Sequence, residues 1–150
     1  MKHVVKRIIQ VGLIAGVGGF LLIQLIPYGR NHTNPSVTSE PNWDSPQTRD
    51  LAQRACFDCH SNETVWPWYS NVAPVSWLAQ HDTDEGRQTL NFSTWNEGGK
   101  GREPGEAIEA VSRGQMPPPV YLITHGDARL SPAEKQALIE GLRATISNSN

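Results

Sequence analysis

Residues 55–60 read "ACFDCH" and contain the only two cysteines of the chain, Cys56 and Cys59, followed directly by His60. A C-x-x-C pair occurs in dithiol redox centres and in zinc sites, and C-x-x-C-H is the pattern that attaches c-type haem. These three chemistries need different surroundings. The rest of the chain therefore decides between them.

Zinc and dithiol chemistry find little support in the sequence. A structural zinc site needs four ligands, and only histidines such as His81 and His125, neither with an H-x₃₋₅-H partner, are present to join the two thiolates. A thioredoxin-like pair starts a helix after a strand, where the dipole lowers the thiol pKa. Cys56 is instead predicted at the end of a helix. A disulfide between Cys56 and Cys59 is sterically awkward.

Covalent haem attachment accounts for the spacing of the motif. Two thiols at a fixed separation meet the two vinyl groups of haem, and the next residue then lies under the iron. The sequence therefore predicts one covalent haem c on Cys56 and Cys59, with His60 as the proximal iron ligand.

The N-terminal segment differs in composition from the rest of the chain. Residues 8–29, "IIQVGLIAGVGGFLLIQLIPYG", carry no charge and follow Lys2, Lys6 and Arg7. A helix of this length, at about 1.5 Å per residue, crosses the roughly 30 Å hydrocarbon core of a bilayer. The preceding cations favour a cytoplasmic N-terminus. A cleaved signal peptide is the competing interpretation, although the run is long for one and no A-x-A-like site follows.

Four segments are predicted: a cytoplasmic N-terminus over 1–7, a transmembrane anchor over 8–29, an extended arm over 30–44 and a haem-binding domain over 45–150. Prolines and small polar residues indicate the arm. Four of the 13 basic residues lie in or beside the anchor, so the 15 acidic residues are in excess beyond it. An acidic domain of this kind excludes nucleic acid as the expected partner.

Helix-start signals mark both ends of the domain. Ser45 is predicted as an N-cap before a helix that delivers Cys56 at its end. Ser131 and Glu134 are predicted to form a capping box at the start of the last helix. Two further helices are expected, from after Pro74 to about Leu90 and over 106–113.

No alternating pattern indicates a sheet. The predicted fold class is therefore all-α: a helical domain with long ordered loops, preceded by one N-terminal transmembrane helix.

The sixth iron ligand is expected on a late loop. Met116 is the only methionine besides the initiator, and three prolines follow it. Its place between a short helix and the last helix is that of the methionine ligand in small cytochromes c. His125 and His81 are the alternative distal ligands, and His32 in the arm is a remoter one. His/Met ligation raises the reduction potential and bis-His ligation lowers it, whereas an open site admits small ligands.

Three stretches carry a family resemblance: "ACFDCHSNETVWPWYSNVAPVSWL", "DEGRQTLNFSTW" and "GQMPPPVYLITHGDARLSPAE". From Asn42 to Leu142 the chain resembles the bacterial haem-binding domain family, small membrane-anchored proteins with one C-x-x-C-H site. The resemblance implies a cytochrome c-like fold and one haem c at the motif. It places the family's M-P-P segment on residues 116–118. It implies no settled physiological role.

An aromatic loop follows the motif. Its large side chains are expected to form the wall of the haem pocket, with simple core filling as the alternative: Trp66, Trp68, Tyr69 and Trp77.

The predicted function is that of a membrane-anchored monohaem c-type cytochrome that carries single electrons between redox partner proteins. It is expected in the bacterial inner membrane with its haem domain in the periplasm, as an electron carrier rather than a catalyst. The alternative is a haem peroxidase-like enzyme, or a haem-based redox or gas sensor, with an open or labile sixth site.

Overall fold

The computed structural model of this chain describes residues 1–101 and 104–148. Within them the secondary structure is helical, and β-pairing is limited to one isolated bridge between Ser39 and Thr94. The prediction of an all-α fold is confirmed. The α-helices of the described residues are α1 Lys2–Ile23, α2 Pro46–Ala55, α3 Phe57–His60, α4 Val75–Thr89, α5 Gly105–Ser112 and α6 Pro132–Asn148.

The chain divides into two compact units. The first consists of Met1–His32 and Trp66–His81, and the second of Thr33–Val65 and Asp82–Asn150. Helix α4 contributes its first residues to one unit and its last residues to the other.

Helix α1 of the first unit is long and apolar enough to cross a membrane, and none of its residues is buried. It begins at Lys2, ahead of the uncharged run, because Lys and Arg are good helix formers. It ends at Ile23, before the predicted boundary at residue 29. Pro27 disfavours helical backbone just before it, which accounts for the early end.

Helices α2 and α6 pack together in the second unit and form much of its core. Leu51 and Ala52 on α2 are buried with Leu138 and Leu142 on α6. A side chain at Gly141 would overlap that of Thr48, so glycine permits this close crossing. Helix α5 also packs on α6.

The predicted helix caps are present. The Ser45 hydroxyl accepts the Thr48 N–H at 3.2 Å at the start of α2. At the start of α6 the Ser131 hydroxyl accepts the Glu134 N–H at 3.2 Å, and the Glu134 carboxylate accepts the Ser131 N–H at 2.8 Å. Both signals are local, since each N-cap lies three residues from its partner.

Candidate haem site

The C-x-x-C-H motif forms one short helical turn. The carbonyl of Cys56, the residue that directly follows α2, accepts the N–H groups of Cys59 and His60 at 3.2 and 2.9 Å. Phe57 in the same turn is 2 % exposed and belongs to the hydrophobic core. This buried side chain fixes the turn to the body of the second unit, so the motif has a defined orientation.

The imidazole of His60 is held through one of its two nitrogens. Its Nδ1 lies 3.0 Å from the carbonyl oxygen of Gly86 and 3.1 Å from that of Leu90. Because both partners are acceptors, the proton is assigned to Nδ1, which leaves Nε2 with the lone pair that binds a metal. Burial lowers the pKa of His60 and favours its neutral form, the form in which histidine is a ligand.

Gly86 allows helix α4 to lie directly against the motif. A Cβ at this position would overlap the backbone carbonyl of Cys59. The same glycine supplies one of the two carbonyl acceptors for His60. Gly86 is thus a site residue that the sequence analysis missed, although a glycine within a helical pattern is a recognisable signal of close packing.

A cavity of about 810 Å³ opens beside the motif, within the usual range for cofactor sites. Its lining includes Cys56, His60 and Met116, and all of its lining residues belong to the second unit. Much of the wall is apolar, with contributions from Leu90, Phe92, Ala107, Ala110, Val111 and Leu142. The sequence did not predict that α5 and α6 line this cavity, because the local pattern of a helix does not indicate which surface it faces.

The two thiols are free and half-buried. Burial raises the pKa of Cys56 to about 12 and that of Cys59 to about 11. A dithiol redox centre needs the opposite shift, because the thiolate is the nucleophile. Cys56 lines the cavity, whereas Cys59 is outside its lining and packs its backbone on Gly86.

No three His, Cys, Asp or Glu side chains of the described residues are grouped so as to hold a metal ion. The zinc interpretation therefore gains no support within residues 1–101 and 104–148.

Of the distal ligand candidates, Met116 lines the cavity and is 39 % exposed. It follows α5, and its N–H donates to the Ala110 carbonyl at 3.2 Å. His125 is not in the cavity lining; its Nδ1 lies 3.0 Å from the Tyr121 carbonyl oxygen. His81 is exposed and belongs to the first unit. The ligand assignments stay predictions, with Met116 the candidate that shares a cavity with His60.

The aromatic residues predicted to wall the haem all belong to the first unit: Trp66, Trp68, Tyr69 and Trp77. The lining of the cavity is drawn from the second unit, where Phe92 is its aromatic member. A pocket role for the four residues stays a prediction.

A hydrogen bond ties the loop after Met116 to the haem motif. The Tyr121 hydroxyl donates to Asp58 Oδ2 at 2.7 Å, and Asp58 lies between the two cysteines. The Asp58 Oδ1 accepts the Val65 N–H at 2.9 Å. The ring of His125 stacks on that of Tyr121 at 3.8 Å. Tyr121 is therefore a positioning residue for the segment that carries Met116.

Tyr121→Phe is expected to lower the free energy of unfolding by about 1.5 kcal/mol, the lower end for a hydrogen bond to a charged group because the pair is partly exposed. Guanidinium unfolding of the haem-loaded protein measures this change. Tyr28→Phe, at an exposed tyrosine, is the matched control and should change stability by less than about 0.5 kcal/mol. Equal effects of both substitutions would contradict the positioning role.

An apolar cavity with a histidine ligand in its wall suits a largely apolar macrocycle that carries iron. The second unit is therefore the helical scaffold of a haem protein. The model of the haem-binding domain family matches residues 18–144. The chain therefore belongs to the haem-binding domain family. Neither a curated protein nor a solved structure matches the chain.

Proposed function

We propose that the chain is a membrane-anchored monohaem c-type cytochrome that carries single electrons. Cys56 and Cys59 hold one haem c as thioethers, His60 binds the iron on one side, and Met116 binds it on the other. The observation that carries this proposal is that Cys56, His60 and Met116 line the same cavity.

The residues of the chain perform three tasks in this proposal. Haem, when bound, supplies a one-electron iron couple whose potential depends on its axial ligands and surroundings. The carbonyls of Gly86 and Leu90 orient the imidazole of His60. The apolar walls limit the access of water, and the Met116 thioether is a neutral, soft ligand that favours a higher potential.

Helix α1 supports the proposed anchoring and location. The helix has the length and hydropathy of a membrane span, and Lys2, Lys6 and Arg7 precede its uncharged part. Cations at that end favour its retention in the cytoplasm. We infer a single pass through the bacterial inner membrane, with the haem site in the periplasm and with redox proteins as the electron donor and acceptor.

The 39 % exposure of the Met116 side chain favours a second candidate function. A ligand on an exposed loop exchanges more readily, and a labile sixth site suits a haem-based redox or gas sensor, or a peroxidase-like enzyme.

Absorption spectra and a potentiometric titration of the full-length haem-loaded protein distinguish these functions. An electron carrier should titrate reversibly as a one-electron couple, and its reduced spectrum should not change under carbon monoxide. A rapid spectral shift with carbon monoxide, together with peroxide turnover, would replace the carrier function by the sensor or enzyme.

A further inference from the structure

The acidic residues are distributed unevenly between the two units. All 15 acidic residues of the chain belong to the second unit, whereas the first contains Lys2, Lys6, Arg7 and Arg30. Residues 66–81, "WPWYSNVAPVSWLAQH", hold three of the five tryptophans and no Asp, Glu, Lys or Arg. Of these four cations only Arg30 follows the span, so the part of the first unit beyond α1 is apolar, with one cation and no anion, and this composition suits contact with lipid.

Residues 66–78, here called the aromatic segment, are fixed to the end of α1. The Gln24 side-chain amide donates to the Ala73 carbonyl at 2.9 Å, and its oxygen accepts the Ala73 N–H at 3.0 Å. Arg30 donates to the same Gln24 oxygen at 3.0 Å. The segment therefore cannot leave the end of α1 without breaking a paired hydrogen bond.

Two further contacts hold the aromatic segment. The His32 ring stacks on Trp66, with centroids 4.7 Å apart, and its Nε2 lies 3.0 Å from the Ser70 hydroxyl. Gly29 has a φ of +77°, and a Cβ there would overlap the backbone carbonyl of Ser76. The segment is thus packed against the chain that leaves α1.

The aromatic segment nevertheless exposes large apolar side chains. Trp68 is 79 % exposed, Leu78 48 % and Val75 42 %. Val75 and Leu78 are three residues apart on α4 and share one face of it. Leu25 and Tyr28, just beyond α1, are exposed as well. Exposed apolar surface of this extent indicates an interaction site.

We propose that the aromatic segment lies on the outer surface of the lipid bilayer, with Trp68, Val75 and Leu78 at the boundary between headgroups and acyl chains. Tryptophan is enriched at this boundary because its ring is apolar and its N–H polar. The bilayer is the occupant because the exposed side chains are fixed beside a membrane span and the segment is uncharged. This inference rests on the membrane anchor of the proposed function.

Nitroxide labels on the full-length haem-loaded protein in phosphatidylethanolamine and phosphatidylglycerol vesicles test the inference. The label is placed at Trp68→Cys and Leu78→Cys, with Leu22→Cys in α1 as the lipid reference and Gln47→Cys on the exposed side of α2 as the water reference. The unsubstituted protein shows whether Cys56 and Cys59 take up label. Each variant should retain the haem spectrum of the unsubstituted protein.

The measured quantity is the accessibility of each label to oxygen relative to a water-soluble nickel chelate. We expect this ratio to be several-fold higher at Trp68 and Leu78 than at Gln47, and to approach the ratio at Leu22. If the label at Leu22 has the high ratio of a lipid-exposed site while the labels at Trp68 and Leu78 have the low ratio found at Gln47, the surface inference is overturned and the anchor stands. If the label at Leu22 itself has the low ratio of a water-exposed site, the anchor is overturned and the inference with it.

Discussion

Gly86→Ala is expected to reduce haem incorporation sharply and to destabilise the second unit. The added Cβ overlaps the backbone carbonyl of Cys59, and backbone cannot rotate out of the way as a flexible side chain does. Overpacking of this kind typically costs about 1–3 kcal/mol. The shift also disturbs the carbonyl that orients His60, and losing such a partner typically lowers metal affinity by about 10–100-fold.

The haem content per polypeptide and the guanidinium unfolding midpoint measure this effect. Gly126→Ala is the matched control, because a Cβ at Gly126 meets no neighbouring atom. It should retain full haem content. Normal haem content in Gly86→Ala would show that α4 does not need its close approach to the motif.

Met116→Leu is expected to remove the iron–sulfur bond while leaving packing nearly intact. The two side chains have similar volumes, and such swaps usually cost less than about 1.5 kcal/mol. The weak long-wavelength absorption band of methionine-ligated ferric haem should disappear. The reduction potential should fall by roughly 0.1 V or more, a fraction of the about 0.8 V over which axial ligands set haem potentials.

Met116→His separates ligation from packing in the same experiment. A histidine at this position can restore a sixth ligand, and bis-His ligation gives a lower potential than His/Met ligation. We therefore expect a six-coordinate spectrum with a lowered potential. An unchanged absorption band and potential in Met116→Leu would transfer the ligand role to another residue, and His125→Ala would then be the variant to measure.

Local signals in the sequence predicted most of the helices of the second unit. Ser45 and Ser131 could be predicted as N-caps from the sequence because each cap involves a partner only three positions away, as the observed hydrogen bonds show. The cysteine motif indicated a candidate haem residue set without any knowledge of the fold.

The features that the sequence did not reveal depend on contacts between distant residues. The carbonyl acceptors of His60 lie 26 and 30 residues downstream, and the partner of Gln24 lies 49 residues away. The tryptophans after the motif were predicted to wall the haem pocket from their composition and their proximity in sequence, and that role stays a prediction. Composition alone cannot distinguish such a pocket wall from the membrane surface proposed above, because both are apolar and uncharged.

Intact mass spectrometry of the full-length protein, after haem that is not covalently bound has been extracted with acidified acetone, tests the central claim most directly. If Cys56 and Cys59 hold the haem, the mass of the polypeptide should remain higher by one haem, and the Cys56→Ser, Cys59→Ser double variant should lose that added mass. A polypeptide that has the mass of the bare chain after extraction would contradict covalent attachment and the c-type cytochrome proposed from it.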